Sequence, residues 1–239
     1  MNLHLRQSDV RNRLLRVLSA DDFALLAPHL ELVEVEFRQT LVAPNQPITQ
    51  LYFPETGFVS IVTHGASDHR VEIGIIGREG LVGATPVLLG TDRTPNHAFV
   101  QNPGQMFAIP TPALNAAAGQ SATLRRLLLR FIQVQIVHLG RSVHCNATYN
   151  MEVRLARWLL MCHDRVDGDE IAITHESLAL MLGAQRSGAT LAVQMLEGNL
   201  LIKARRGRIT IVNRKSLLEV ADGSYGIAEA EYARLIEDA

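Results

Sequence analysis

Between Ile171 and Arg214 the apolar period switches from that of a helix to that of a strand, and glycines punctuate the switch. Thr174 offers a hydroxyl to cap a first turn, and Leu178, Leu180, Met181 and Leu182 follow on one broad apolar side. Gly183 accepts the left-handed conformation that ends a helix. A second helix is predicted from about Gln185, with Ala189, Ala192, Val193 and Leu196 on its buried stripe and Gly198-Asn199 as its stop. Leu200–Lys203 and Arg208–Val212 then read as two short strands turning at Arg206-Gly207. Helix, tight turn, helix and hairpin make a winged helix-turn-helix.

Its charge is one-sided. From Ile171 to Lys215 the basic residues are Arg186, Lys203, Arg205, Arg206, Arg208, Arg214 and Lys215, against Glu176 and Glu197 alone. The whole chain carries a net charge of −1, so the positive surface is local and implies a local polyanion site. Gln185, Arg186, Ser187 and Thr190 stand at the start of the second helix, clear of its apolar stripe, where a major groove presents base edges. Lys203, Arg205, Arg206 and Arg208 form a basic wing suited to phosphates, which position a protein without reading sequence.

Upstream, the pattern gives a different unit. Ser8 to Leu30 is predicted helical, with a break and a new cap at Ser19. From Glu31 to Pro110, short apolar runs recur between Gly and Pro turns: Leu32–Phe37, Leu51–Phe53, Phe58–Val62, Val71–Ile76, Ala98–Val100 and Met106–Ile109. That spacing predicts a compact β sandwich or roll. Helix resumes at Thr111, with Gly119 expected to separate a short helix from a long one. Along the long one, Leu129, Ile132, Ile136, Leu139 and Val143 fall three and four apart, an apolar seam of the kind that pairs helices. Leu124, Leu128 and Phe131 make a second apolar side. One helix with two such sides can serve its own core and a second copy, and a symmetric DNA reader needs two copies. Asn146 to Tyr149 reads as a hinge, and Met151 to His163 as an amphipathic helix. The tail after Val220 is acidic and amphipathic, with no indication of whether it docks.

Other classes find little support. Apolar residues make up 47% of the 239 and charged residues 20%, as in a chain with a real core. The N-terminal stretch lacks a secretory apolar segment, and no run approaches the ~18 apolar residues of a membrane helix. Two cysteines, Cys145 and Cys162, exclude a disulfide framework and a four-thiolate cluster within one chain, so the expected home is cytoplasmic. His64, His69, His97, His138, His144 and His163 lack a clean ligand spacing, and no metal site or cofactor is expected. His138 and His144 read as polar residues of a helix interface. Glu72, Glu79 and His69 have no nucleophile elbow or phosphate loop beside them, and Gly77, Gly80 and Gly83 are turn punctuation; no catalytic residues are assigned.

In order, then: β-roll, long helix, hinge, winged helix-turn-helix. This resembles the Crp/Fnr family of bacterial transcription regulators over almost the whole chain, most specifically in Ile173–Ala179, Gly183–Thr190, Leu201-Ile-Lys203 and Gly207–Ile211. The resemblance implies an α+β fold: an N-terminal β-roll (a jelly-roll-like double-stranded β-helix), a long dimerisation helix and a C-terminal winged helix-turn-helix domain. The expected limits are residues 1–118, 119–146 and 147–222, with a tail at 223–239. It implies a homodimer on a palindromic operator in double-stranded DNA, working with RNA polymerase. Thr174 and His175 would touch phosphates, and Gln185, Arg186 and Ser187 would read bases.

Two departures stand out. Ser187 and Leu191 occupy positions where family members often carry Glu and Arg. In the β-roll, cyclic-nucleotide-binding members hold the ribose with a Gly-Glu and the phosphate with an Arg-Ser or Arg-Thr. Here those positions read Gly83-Ala84 and Asn96-His97. A buried phosphate without its arginine leaves an unpaired charge, which disfavours cyclic AMP. The alternative is a cyclic-nucleotide regulator that brings in Arg93-Thr94, three residues earlier. A rival of another class is a ligand- or protein-binding module without DNA function. The effector itself is unknown.

Overall fold

The computed structural model describes residues 5–65 and 70–238. They divide into two compact units, one of Met1–Ile61, Ile75–Ile136 and Tyr232–Ala239, the other of Val62–Gly74 and Val137–Glu231.

In the first unit, the short helix α1 (Arg13–Arg16) begins at Arg13 where Ser8 was expected, and α2 (Ala20–Leu26) begins after Ser19 as expected. The Asn12 side chain accepts from Leu15 N, and the Ser19 hydroxyl from Asp22 N. Seven strands follow: β1 (Glu31–Val35), β2 (Thr40–Val42), β3 (Gln50–Pro54), β4 (Phe58–His64), β5 (Arg70–Ile76), β6 (His97–Asn102) and β7 (Gly104–Pro110). They form two sheets, β1-β7-β3 and β2-β6-β4-β5, so the expected β-roll is present. β4 and β5 carry residues of both units; their distal parts, with Val62–Gly74, fall in the second. Strand β2 and a one-turn helix α3 (Ala84–Leu88) were not evident from the sequence, because three and five residues are too few to show a period. Phe37, read as part of the first strand, lies beyond its end and is exposed.

The core of this unit gathers Leu14, Leu15, Leu51, Phe53, Met106, Ile109 and Leu114 around Phe131. Gly80 meets that ring so closely that an added Cβ would lie 2.8 Å from its edge. Asn12 fastens the N-terminal segment, donating to Pro54 O and Gly80 O while its own N–H donates to Glu55. Burial pushes the Glu55 carboxyl up; the N–H donors from Arg11 and Asn12 pull against that.

Two helices leave the β-roll, α4 (Thr111–Gln120) and α5 (Ala122–Thr148). The break between them is Ser121, not Gly119, which stays helical. Ser121 has extended backbone, and its hydroxyl accepts from Leu124 N to cap α5 while donating to Asp22. The helix also runs past the expected hinge: Asn146 to Thr148 are helical, and only Tyr149 and Asn150 interrupt it before α6 (Met151–His163). Continuous i→i−4 bonding leaves no soft backbone at Asn146. The tail docks. Tyr232 and Ile236 are buried in the first unit's core, Arg13 stacks 4.5 Å from the Tyr232 ring centroid, and Arg13 donates to Glu237 at 2.8 Å.

In the second unit α6 is central, lying against α8 (Arg186–Gly198) and α9 (Arg214–Ala221). α7 (His175–Met181) precedes α8, and α10 (Ile227–Tyr232) ends the set. The wing is a three-stranded sheet, β8-β10-β9, where two strands were expected: β8 (Glu170–Ala172), β9 (Ile202–Arg205) and β10 (Arg208–Ile211). β8 pairs antiparallel with β10, Ile171 opposite Ile209. Its three residues are too few to show a period.

Candidate nucleic-acid interface

The turn between α7 and α8 is built by local bonds. Thr174 Oγ1 accepts from Ser177 N at 3.1 Å, capping α7. At its end Gly183 has φ +55°, Gly183 N donates to Leu180 O and Ala184 N to Ala179 O. These two bonds close the paired C-cap that a left-handed residue permits. Gln185 then enters α8 as its N-cap without spending its amide there.

α8 buries Ala189, Ala192, Val193 and Leu196, and turns Gln185, Arg186, Ser187, Leu191, Gln194 and Met195 outward. No acidic residue lies in its first turn, so the positive end of the helix dipole is uncompensated from within. Thr190 differs from its neighbours: its hydroxyl donates back to Arg186 O at 2.9 Å. The side chain of His175 lies outside what the structure describes.

α8 ends one residue later than the glycine suggested. Gly198 is still helical, and the left-handed residue is Leu200, at φ +59° and 76% exposed. Leu200 N donates to Glu197 O, and Leu201 N to Leu196 O, the same paired cap as at Gly183 but with a leucine in glycine's place. So Leu200 is a turn residue, and the strand starts at Ile202. Glu197 Oε1 accepts from Ala204 N, tying the helix end to β9.

On the wing, Lys203, Arg205 and Arg206 are exposed. Arg208 is exposed too but shares its guanidinium with Glu170, at 3.2 Å. Glu170 belongs to the site, and a basic-residue count starting at Ile171 leaves it out. Arg214, counted with the basic surface, serves the fold: it donates to Asp164 at 2.6 Å and to His163 Nδ1 at 2.9 Å. A guanidinium only donates, so His163 Nδ1 accepts and its Nε2–H is left to donate to Asp169 at 2.9 Å.

The seam of α5 divides. Ile132 is buried in the core of the first unit, at 3% exposure, which removes it from any surface. Leu129, Ile136, Leu139 and Val143 are exposed, with Val143 at 63%, and a Cβ added at Gly140 would meet nothing within 4 Å.

In the β-roll, Gly83 is the left-handed entry to α3, where an added Cβ would meet Ile48 at 3.3 Å and Leu51 and Val42 at 3.7 Å, and Ala84 is buried. The segment after α3 is pinned through its carbonyls: Asp92 O accepts from Ile48 N and Thr94 O from Asn45 N, both at 2.7 Å. Thr94 Oγ1 accepts from Asn96 N, and His97 Nε2 meets Thr40 Oγ1 at 3.0 Å. Arg93 is exposed, and its guanidinium is held bidentately by neighbouring Asp92 at 2.9 and 3.1 Å.

The remaining histidines and cysteines scatter. His138 is not interfacial: it is buried, and its Nε2 lacks a hydrogen-bond partner among the described residues. Burial, with Arg165 and Arg157 nearby, pushes it down to about 3. Cys145 and Cys162 are buried free thiols, and burial pushes the Cys162 thiol well up. His69 lies outside the described residues.

Two family models match the chain: a cyclic nucleotide-binding domain over residues 32–121 and a Crp-like helix-turn-helix domain over residues 153–220. A global nitrogen regulator of Synechococcus elongatus is 24% identical over 197 residues, 79% of this chain and 88% of its own. Among solved structures, FixK2 of Bradyrhizobium japonicum superposes with a TM-score of 0.68 at 15% identity, covering 80% of this chain and 96% of that one. A Crp/Fnr-family transcriptional regulator from Thermus thermophilus gives 0.63 at 18% identity, covering 82% and 100%. The fold and the helix-turn-helix site thus define a two-part regulator, a cyclic nucleotide-binding-type β-roll joined to a DNA-binding-type winged domain. The two matched domains together make the chain a helix-turn-helix transcription regulator of the Crp/Fnr type.

Proposed function

We propose that this regulator works as a homodimer on a palindromic site in double-stranded DNA. The observation that carries the proposal is the outward face of α8. Gln185, Arg186 and Ser187 stand free at its N-terminal end, beside a wing that exposes Lys203, Arg205 and Arg206. Arg186 can take a bidentate pair with guanine, and the wing can neutralise phosphates. Thr174 and His175, at the start of α7, lie at the place for a further phosphate contact, while Arg208 and Thr190 contribute less because each already has a partner. Pairing runs through Leu129, Ile136, Leu139 and Val143. Recognition helices one turn of duplex apart, ~34 Å, then face successive major grooves.

The β-roll biases this dimer between two poses through an effector that prefers one of them. Cyclic nucleotides are disfavoured as that effector, since Arg93 is held at the surface by Asp92. Action is cytoplasmic and reaches transcription through RNA polymerase; catalysis has no part in it. Selection from a randomised duplex library by the full chain tests the proposal. The expected yield is a palindrome with half-sites about a helical turn apart. Arg186→Ala should relax the preference, while Arg206→Ala should weaken all sequences alike and lower the salt slope by about one. Unselective binding without salt dependence would favour a protein-interaction module instead.

A further inference from the structure

Leu191 stands on the side of α8 that faces away from its own core. It is 60% exposed, with Ser187 one turn before it and Gln194 one turn after it. Ala189, Ala192, Val193 and Leu196 occupy the opposite side, so no rotation of the helix could bury Leu191 without exposing them. A large aliphatic side chain is therefore held outward on the face that carries Ser187, Gln194 and Met195. The winged element exposes Arg186, Lys203, Arg205 and Arg206, so its charge suits a polyanion, while Leu191 itself suits an apolar group. A DNA major groove offers one apolar group on its base edges, the C5 methyl of thymine.

We infer that Leu191 is a specificity-determining residue that selects thymine in each half-site by packing on its 5-methyl group. The inference rests on the DNA-reading role of α8 proposed above and names what that face reads. Position along the helix supports it. Leu191 lies five residues after Arg186, about 7.5 Å along the axis, or two base-pair steps, which stays within the end of the helix that enters a groove. Thr190 is no donor to bases there, because its hydroxyl proton goes to Arg186 O. Met195, also exposed, is a further turn away from the entering end.

The experiment uses the full chain and a duplex recovered by library selection. Each thymine of both half-sites is replaced in turn by deoxyuridine, which removes the methyl group and keeps every hydrogen bond. The expected result is one symmetric pair of positions where the replacement weakens binding about fourfold per half-site, the scale of one buried methyl. Leu191→Ala, a surface change that leaves the fold intact, should weaken the all-thymine duplex by a similar factor and be indifferent to uracil at that pair. Uracil tolerated everywhere, half-sites without thymine, or a Leu191→Ala chain as sensitive to uracil as the parent would each overturn the inference while leaving DNA recognition standing. Recovery of no duplex would overturn both.

Discussion

Trp158 Nε1 donates to Glu72 Oε1 at 2.6 Å, joining the one tryptophan of the chain to a buried carboxyl in the second unit. The partners are 86 residues apart in sequence and both are nearly shielded from water. A hydrogen bond to a charged group in such a place is worth about 1.5–3 kcal/mol. Trp158→Phe should lower the unfolding free energy by about that amount in urea melts followed by circular dichroism. Glu72→Gln, which keeps an acceptor, should cost less. Equal stability of Trp158→Phe and the parent would show that the bond contributes nothing net.

His138 makes stability depend on pH. Its folded value, about 3, lies below the ordinary 6.5. The unfolded chain therefore takes up a proton first as pH falls, so the contribution is complete above 6.5 and is lost progressively from 6.5 down to about 3. The slope from this group is at most about 1.4 kcal/mol per pH unit. His138→Gln should flatten the profile between pH 6.5 and 5 relative to the parent. Parallel profiles for the two chains would mean that His138 is solvated in the folded state.

Leu200 occupies a left-handed position that a side chain with a Cβ adopts at a cost of about 1 kcal/mol. It is exposed, so little packing offsets that strain. Leu200→Gly should stabilise the winged unit by about 0.5–1 kcal/mol, read as a higher urea midpoint with an unchanged slope. A fall in the midpoint would indicate that the exposed leucine packs against something in solution.

Ile136 and Val143 stand two helical turns apart on the exposed seam of α5, and both are more than half exposed. Aspartate at both positions should leave the melting transition of the protomer in place and shift sedimentation from dimer to monomer at micromolar concentration, a loss of more than about 100-fold in association. A dimer that persisted would put the pairing surface elsewhere.

The parts legible in the sequence were those with a period or a cap. The Thr174 hydroxyl and Gly183 mark the two ends of α7 as expected, and the stripe from Ala189 to Leu196 gives α8 its buried side. Tertiary partners were not legible. Ile132 shares the spacing and the angular position of the seam, yet it is buried because the core of the first unit covers the helix at that height, a tertiary contact that no period records. Gly198 looked like a helix stop, but the helix ends where Leu196 and Glu197 carbonyls find donors, and that put Leu200 in the left-handed turn. Glu170 was invisible as a neighbour of Arg208 because strand β8 is three residues long.

Tyr232 and Ile236 complete a core whose other members begin at residue 10. During synthesis these two side chains are made long after the rest of that core, whose other buried members lie between Val10 and Val134, so the β-roll is left with an apolar site open until they emerge.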